Sequence, residues 1–368
     1  MATYQLRQQS NSVVVEVDRL LHLVVRIFEG AGCASEEARA ISESLVGANC
    51  VGHHSHGVVR VMRYLDWMDD GKLKPNQVPT IEVDAGPMAV VDGHQGFGQT
   101  VAPFAVDVGI EKAGEAGVAV VGVKRSGHLG RLGDWAERAA RAGICSIHFA
   151  NVNGHALVAP FGGAQRRFST APFSIGIPRA HLDPVVVDFA TSLVAEGKVM
   201  MAARGGKPIP DDALIMRDGS LSGDPSVLYG HTPDGQLPHP RRGTGAIRAF
   251  GEHKGSGLAF MCEVLAGLLT GSGSTGVKPE EGRLWSGMLG IYIDPARLGE
   301  PEALDQSLNE FIEYVHETSP ADVDGEVLIP GEVETIMRSA AHANGVSLPS
   351  PVWADLQRMA ARFGIAAE

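Results

Sequence analysis

The sequence predicts an α/β protein that begins with a helical region. Up to about residue 75, apolar residues recur at helical spacing, first over 20–28 and again from Val58 to Met68. From Met88 onward, short β-rich runs separated by glycine alternate with helical patterns, which is typical of an α/β core. The segment 74–76, Lys-Pro-Asn, ends the helical region.

The elements follow in order. The β-branched run 13–17 comes first, and further strands are predicted at 88–93, 118–123, 144–150, 185–188, 287–294 and 326–330. Helices are predicted at 20–28, 35–48, after Ser55, and at 100–116, 131–142, 258–270, 302–316, 333–343 and 351–363. Ser35 and Ser55 stand where helix caps would stand. The helix 258–270 is strongly apolar, so we expect it to be buried. Polar turns between Asp211 and Arg248, such as the one at 217–220, indicate hairpins or an excursion over the surface.

Composition restricts the class of protein. A chain of 368 residues with 44% hydrophobic and 20% charged residues can bury a sizeable core in two domains or one large one. The net charge of -12 argues against a nucleic-acid or anionic-membrane partner. It leaves room for an anionic substrate, because a few arginines can dominate the charge inside a cleft.

The cysteines and the lengths of the apolar runs indicate in which cellular compartment the protein lies. Four widely spaced cysteines without a Cys-x-x-Cys pair are typical of reduced thiols in the cytoplasm. No run approaches the roughly 20 apolar residues of a membrane span. The polar segment 1–12 does not resemble a signal peptide. We therefore expect a cytoplasmic protein.

The densest candidate site is the segment 52–60, in which three histidines and a serine meet a glycine. If a helix begins near Ser55, His56 and Arg60 lie on one face of it, four residues apart. Histidine titrates near neutrality, and arginine binds carboxylates through two hydrogen bonds. The alternatives are a capped helix with exposed histidines and metal capture by His53, His54 and His56. No cysteine or carboxylate at ligand spacing supports a metal site.

Two further positions follow apolar strands. The segment 126–130, Ser-Gly-His-Leu-Gly, opens a helix near Arg131, so its amides can face an anion, although an ordinary turn with a solvated histidine fits equally. Asp188 ends the strand 185–188, where a carboxylate needs a partner. It either caps a helix beginning near Leu193 or orients a histidine and stabilises its charged form.

Glycine-rich segments give one false lead and two candidates. The segment 271–276 matches G-x-G-x-x-G, but it follows a helix instead of a strand, so it is interpreted as a helix end and loop. The segment 151–178 is rich in glycine and proline and is predicted to be an ordered loop. His253, Lys254 and Gly255 precede an apolar helix and suit a phosphate, although an exposed lysine in a flexible turn fits as well.

Ser55-His56-Gly57, with Arg60 and Tyr64 after it, resembles the type 2 malate/L-lactate dehydrogenase family. That family also holds ureidoglycolate, sulfolactate and diketogulonate dehydrogenases and a cyclic imino acid reductase. His54 replaces the aspartate that members usually have before the serine. The resemblance extends in order through the segments 126–130, 157–163, 169–172, 185–192, 253–257 and 328–332. Arg125 and Ala171 stand where the family usually has asparagine.

The resemblance implies an α/β, non-Rossmann type 2 fold, with a mixed-sheet NAD(P)-binding domain packed on a helical domain. The helical domain would comprise 1–76, completed by about 252–275 and 333–366, and the sheet domain 77–250 with about 285–332. The resemblance further implies that the chain interconverts a 2-hydroxy acid and a 2-oxo acid by hydride transfer, with a small carboxylate as substrate and NAD(H) or NADP(H) as cofactor. It also implies that the protein is a homodimer.

The resemblance also assigns roles to residues. The catalytic set is His56 as proton donor, Ser55, Asp188 and His128. Arg60 and Tyr64 would bind the substrate. The cofactor-binding set comprises Ser126, Gly127, Leu129, Pro160, Gly162, Ser169, Thr170, Ala171, His253, Lys254, Gly255, Pro330, Gly331, Glu332 and Arg338, with no metal. Lys124 and Arg125, near the expected phosphate loop, raise NADPH as the cofactor.

Three alternatives remain at this stage. A cyclic imino acid reductase of the piperideine-2-carboxylate type would need the same hydride, acid and carboxylate clamp. A metal-dependent hydrolase built on the histidines of 53–56 belongs to another class, and metal analysis would distinguish it. A non-enzymatic binding protein is the third alternative, and NADH binding would count against it.

Overall fold

The computed structural model describes residues 12–154, 156–203, 207–231, 242–276, 285–322 and 325–366. Its centre is a seven-stranded mixed sheet in the order β2-β3-β4-β11-β5-β6-β7. The strands are β2 (Thr80–Ala85), β3 (Met88–Asp92), β4 (Val118–Ser126), β5 (Cys145–Asn153), β6 (Pro172–Ile177), β7 (Val185–Ala190) and β11 (Trp285–Ile293). β3 and β4 pair in parallel, and the other neighbours are antiparallel.

Helices cover both faces of this sheet, as the side-chain alternation of β4 shows. Val121 and Val123 pack with α4 (Gly98–Ala116) in one core, which also includes Trp135 of α5 (Gly133–Arg141). Gly122 points to the other face, where a Cβ would contact Thr270. That face is covered by α8 (His253–Cys262) and its π-helical continuation Glu263–Leu269.

The N-terminal helices form a separate layer with the C-terminal ones. α1 (Val17–Gly30), α2 (Ser35–Cys50) and α3 (Val61–Asp69) share one apolar core with residues of α10 (Glu332–Asn344) and α11 (Ser350–Arg362). β1 (Ser12–Val15) pairs antiparallel with β12 (Val346–Pro349) and joins the two ends of the chain. α9 (Pro301–His316) lies between the sheet strand β11 and α10 in sequence.

A third core lies under the excursion between β7 and α8. It contains α6 (Glu196–Ala203), the small sheet β10-β8-β9 and α7 (Ser226–Tyr229). The strands are β8 (Leu214–Ile215), β9 (Leu221–Ser222) and β10 (Ala246–Ile247). β8 and β9 form the hairpin predicted around the 217–220 turn, and part of the excursion, 232–241, lies outside the described residues.

Three predictions on single elements were wrong. The segment 253–269 packs on the sheet and not on the N-terminal helices, because small residues such as Ala259 and Ala266 allow close approach to β5. The same helix is buried on one face only, and Phe260 and Leu269 on the other face are exposed. Residues 326–330 form no strand, although the Val186 amide donates to the Pro330 carbonyl.

Candidate active site

The histidine-rich segment forms two short 3-10 turns, His54–His56 and Val58–Arg60, instead of the start of a helix. Asn49 holds both turns: its Oδ1 accepts from the Val58 amide at 2.7 Å, and its Nδ2 lies 2.9 Å from His54 Nδ1. A Cβ on Gly57 would overlap the Asn49 side chain. The prediction that Ser55 caps a helix was therefore wrong, and Ser35 likewise begins α2 without capping it.

One cavity of about 1130 Å³ brings together all four of the predicted catalytic residues. His53, Ser55, His56, Arg60, His128 and Asp188 all line it. The rings of His56 and His128 stack with centroids 5.4 Å apart and planes 4° from parallel. The His56 ring comes from the first 3-10 turn and the His128 ring from the loop after β4, so the helical layer and the sheet meet at this contact.

His56 is neutral in this cavity at neutral pH. Burial lowers its pKa to about 3, and the positive charges of Arg60, His53 and Arg131 act in the same direction. Its Nδ1 is buried and has no hydrogen-bond partner among the described residues. Because His56 lines the cavity, its neutral imidazole can accept a proton from a ligand there.

Tyr64 lies behind His128 and does not line the cavity. It is fully buried, and its hydroxyl is 2.7 Å from His128 Nδ1 and 3.0 Å from Gln99 Nε2. In this structure Tyr64 contacts His128, which lines the cavity, and its predicted contact with substrate stays a prediction. The position of Tyr64 next to Arg63 in a helical pattern gave no indication of its contact with His128, because His128 comes from a distant loop.

Asp188 reaches the cavity from the end of β7, but it does not hydrogen-bond to His56. Its Oδ2 accepts from the Gly133 amide at 2.9 Å and lies 3.8 Å from Arg131 Nε. Burial raises the pKa of Asp188, and the Arg131 guanidinium opposes that rise. The predicted helix cap is also wrong, because α6 begins at Glu196.

Arg131 is a residue whose importance the sequence analysis missed. It is only 1% exposed, and its guanidinium pairs with Asp134 and Glu137 at 2.9 Å each. A buried arginine surrounded by carboxylates is stable because each charge is paired. The available signal was the spacing of Arg131, Asp134 and Glu137 along one helix face.

Arg60 lines the cavity and has one carboxylate close to it. Its Nε donates to the Ser55 carbonyl at 2.6 Å, and its Nη2 lies 3.9 Å from Glu196 Oε2. Glu196, which the sequence analysis also missed, accepts from the Tyr229 hydroxyl at 2.6 Å. Arg63, Lys198 and Lys207 line the same cavity, so its wall contains several cations that suit an anionic ligand.

Ser169 and Thr170 form another part of the cavity wall. The Ser169 amide and hydroxyl both donate to Glu263 Oε1, at 3.2 and 3.1 Å, and the Thr170 carbonyl accepts from the Thr191 amide at 3.0 Å. Ala171 follows them, fully buried, with φ of 37°. The loop is therefore fixed in place from the α8 side of the sheet.

Other residues predicted to bind the cofactor do not line this cavity. Ser126, Gly127 and Leu129 are buried around His128. Pro160 and Gly162 line a separate cavity of about 60 Å³ with Glu252, next to His253, Lys254 and Gly255 at the start of α8. Pro330, Gly331 and Glu332 lie at the start of α10, and Arg338 pairs with Glu137 at 2.9 Å.

Two charged residues and two histidines have partners of their own. Lys124 and Arg125 pair with Glu82 and Asp92 and do not line the cavity, so they give no support for NADPH. His53 Nε2 is 3.0 Å from Glu334 Oε1, and His54 bonds to Asn49. Within the described ranges, no three histidine, cysteine, aspartate or glutamate side chains are grouped so that they could hold a metal ion.

The glycine-rich match at 271–276 is a helix end and loop, as predicted. The π-helical segment ends at Leu269, and Gly271 follows with φ of 79°. The described helices include none with the length and apolarity needed to cross a membrane.

The mixed sheet has helices on both faces and carries a large cavity, whose wall contains two stacked histidines, a carboxylate and an arginine. This set of residues fits an enzyme that acts on small anionic substrates. A family model described as malate/L-lactate dehydrogenase matches residues 15–357. The chain belongs to that family and is a dehydrogenase or reductase acting on CH–OH or C=N groups. The family implies a nicotinamide cofactor.

Individual relatives agree with this assignment. The chain is 36% identical to hydroxycarboxylate dehydrogenase B of Escherichia coli O157:H7, over 95% of this chain and 94% of that protein. It is 32% identical to an L-lactate dehydrogenase of Cupriavidus necator, over 89% and 91%. The crystal structure of the Δ1-piperideine-2-carboxylate reductase from Pseudomonas syringae pv. tomato matches with a TM-score of 0.79 at 30% identity, over 94% and 99%.

Proposed function

We propose that this chain interconverts a 2-hydroxy acid and a 2-oxo acid by NAD(P)-dependent hydride transfer, with His56 as the group that accepts or donates the proton. The observation that supports this most directly is the neutral imidazole of His56 on the wall of a cavity that Arg60 also lines. A volume of about 1130 Å³ suits a nicotinamide ring and a small acid side by side.

The residues on the cavity wall fit a nicotinamide cofactor. Ser169 and Thr170 are the predicted contacts that line the cavity, and we propose that they hold the nicotinamide end. The backbone and side chains of 160–162 and 253–255, around the smaller cavity, would bind a more distant part of the cofactor. When bound, the cofactor supplies the hydride or accepts it.

In the oxidising direction, His56 takes the proton of the substrate hydroxyl while the C–H bond gives up its hydride and the carbonyl forms. His56 is ready for this step because its imidazole is neutral. In the reducing direction the same proton returns to the oxygen. The imidazolium that forms in between would be stabilised by the Asp188 carboxylate, which lines the same cavity, and by the negative charge of the substrate itself.

Arg60 binds the substrate carboxylate. A guanidinium in a cleft can form two parallel hydrogen bonds to a carboxylate, which fixes the direction of the neighbouring carbon atom. Its present partner Glu196 is 3.9 Å away, at the limit of an ion pair, so an incoming carboxylate can replace it. The substrate class is therefore a small acid with a reducible group next to the carboxylate.

Reduction of a cyclic imino acid is the second candidate, because the matching crystal structure from P. syringae has that activity in its name. A panel of 2-oxo acids and piperideine-2-carboxylate, each with NADH and with NADPH, separates the two by the loss of reduced-cofactor absorbance. Turnover of a 2-oxo acid such as pyruvate or oxaloacetate supports the first proposal. Turnover of the imine alone overturns it in favour of the second.

We also propose a cytoplasmic homodimer. The exposed apolar side chains Phe260, Met261, Leu268 and Leu269 lie on the outer face of α8 and its continuation, and an apolar patch of this kind favours association. The cysteines Cys33, Cys50, Cys145 and Cys262 are free. We predict that light scattering gives twice the chain mass, and that Leu269→Asp shifts the distribution towards monomer. A monomer in the unchanged protein would contradict the proposal.

A further inference from the structure

The direction of the hydrogen bonds around His128 is fixed by a backbone group. Its Nδ1 receives the Gly130 amide at 3.3 Å and lies 2.7 Å from the Tyr64 hydroxyl. A backbone N–H can only donate, whichever tautomer the histidine ring adopts. His128 Nδ1 is therefore an acceptor, and the Tyr64 hydroxyl donates its one proton to it.

The other end of this chain of hydrogen bonds is Gln99. Because the Tyr64 proton goes to His128, the Tyr64 oxygen accepts, and Gln99 Nε2 lies 3.0 Å from it. Gln99 and Tyr64 are 2% and 1% exposed, so water does not compete for these bonds. The hydrogen bonds therefore form one series in which Gln99 donates to Tyr64 and Tyr64 donates to His128.

Local packing explains why Gln99 reaches this point. A Cβ on Gly98 would overlap the His128 carbonyl, so the glycine lets the first turn of α4 approach the loop closely. The neighbouring Phe97 packs edge-on against the Tyr64 ring at 5.8 Å. The tripeptide Phe97-Gly98-Gln99 therefore positions both the ring and the hydroxyl of Tyr64.

An imidazole that accepts at Nδ1 and is neutral has its proton on Nε2. His128 lines the cavity, and its Nε2 forms no hydrogen bond with the residues that the structure describes. This N–H is consequently available to a ligand oxygen. The titratable and charged groups that face His128 are Tyr64 of α3 and Arg60 and His56 of the two 3-10 turns.

We propose that Gln99 and Tyr64 are positioning residues that hold His128 as a neutral donor through Nε2, and that they thereby leave proton transfer to His56 alone. The stacked rings are 5.4 Å apart, so a second charge on His128 would oppose protonation of His56. The pKa of His128, which burial lowers well below its usual range, agrees with this division of roles. The catalytic part of this inference rests on the proposed function.

The test is NMR of the full chain with isotope-labelled histidine, because ring nitrogen shifts distinguish an N–H from a lone pair. His128→Gln identifies the His128 signals. We expect His128 of the unchanged protein to show the Nε2–H tautomer at neutral pH. Detection of the Nδ1–H tautomer or of imidazolium would overturn the proposal, whether or not any substrate is turned over, so the result is independent of the proposed function.

Two variants test the positioning role. In Gln99→Glu the carboxylate accepts the Tyr64 proton, and this charge-assisted bond outweighs the long 3.3 Å bond from the Gly130 amide, so the series reverses and His128 becomes protonated on Nδ1. We expect the tautomer signals to change accordingly, kcat/KM to fall about ten- to a hundredfold, and a further ionisation to enter the pH profile. Tyr64→Phe removes the shorter of the two bonds to Nδ1 without a new charge and leaves only the 3.3 Å bond from the Gly130 amide, which is too weak to hold one tautomer alone, so a mixture of tautomers is expected.

The matched control is Tyr292→Phe, which removes a fully buried hydroxyl that has no hydrogen-bond partner among the described residues and lies outside the cavity. It should leave the His128 signals and the pH profile unchanged. If Gln99→Glu and Tyr64→Phe both fold and leave the tautomer as in the unchanged protein, the proposal is wrong. If either variant does not fold, the spectrum of the unchanged protein and the other variant still decide.

Discussion

Arg60 and Glu196 are neighbours on the cavity wall, and they have opposite effects on the affinity for an anion. Arg60 offers positive charge and hydrogen-bond donors, while Glu196 is fixed by the Tyr229 hydroxyl with its second oxygen 3.9 Å from Arg60. A substrate carboxylate that binds Arg60 comes close to the Glu196 charge. The affinity for substrate therefore depends on the difference between these two interactions.

Arg60→Gln should raise KM for the best acid about ten- to a hundredfold, since a charge-assisted hydrogen bond contributes roughly 1.5–3 kcal/mol. Glu196→Gln should lower KM, because it removes a competing carboxylate and retains an acceptor for Tyr229. Steady-state kinetics over a substrate series measures both. Arg358→Gln on the exposed side of α11 is the control and should match the unchanged protein. An equal KM in all four proteins would contradict the role of Arg60.

At the scale of elements, the two 3-10 turns place His56 and Arg60 on the cavity wall. They depend on the contact between Asn49 of α2 and Gly57, where no space remains for a methyl group. A helix beginning at Ser55 would have directed these side chains differently. The close approach of Gly57 to Asn49 thus determines the geometry of the site.

Gly57→Ala should destabilise the protein by roughly 1–3 kcal/mol, the usual effect of forcing a methyl group into a packed region, and should reduce turnover. Gly47→Ala is the matched control, because the position is helical and has no atom within 4 Å of the added Cβ. It should be neutral or stabilising by up to about 1 kcal/mol. Chemical denaturation measures both, and equal effects of the two substitutions would contradict this account.

Local pattern was enough to predict elements whose residues repeat at one period. The helical spacing in α4 and the apolar runs of β4 and β5 gave those elements to within a few residues. β6 was missed because Pro172 and the surrounding glycines resemble a loop, and β2 because it is exposed along its whole length. The residues of the site could be nominated, but the stacking of His56 on His128 and the pairing of Arg131 near Asp188 depend on the sheet topology.

At the scale of the whole molecule, buried neutral histidines link stability to pH. Burial lowers the pKa of His56 and of His148 from 6.5 to about 3. Between these values the unfolded chain binds more protons than the folded one, so the free energy of unfolding falls as the pH falls. Asp134, whose pKa burial raises to about 6, acts in the opposite direction.

His148→Gln isolates one part of this dependence. His148 is fully buried on β5, outside the cavity, with Nε2 3.0 Å from Ser146 Oγ. The substitution should make the free energy of unfolding less dependent on pH between about 3 and 6.5, by up to about 1.4 kcal/mol per pH unit. Denaturation at several pH values measures the slope. An unchanged slope would contradict the buried, neutral state of His148.

The central claim is that His56 transfers the proton, and turnover of His56→Asn with the best substrate of the panel tests it most directly. We predict that kcat falls about 10²- to 10⁴-fold while binding of the reduced cofactor, followed by its fluorescence, is retained. His22→Asn, on the exposed side of α1, should match the unchanged protein. Full turnover by His56→Asn would contradict the claim.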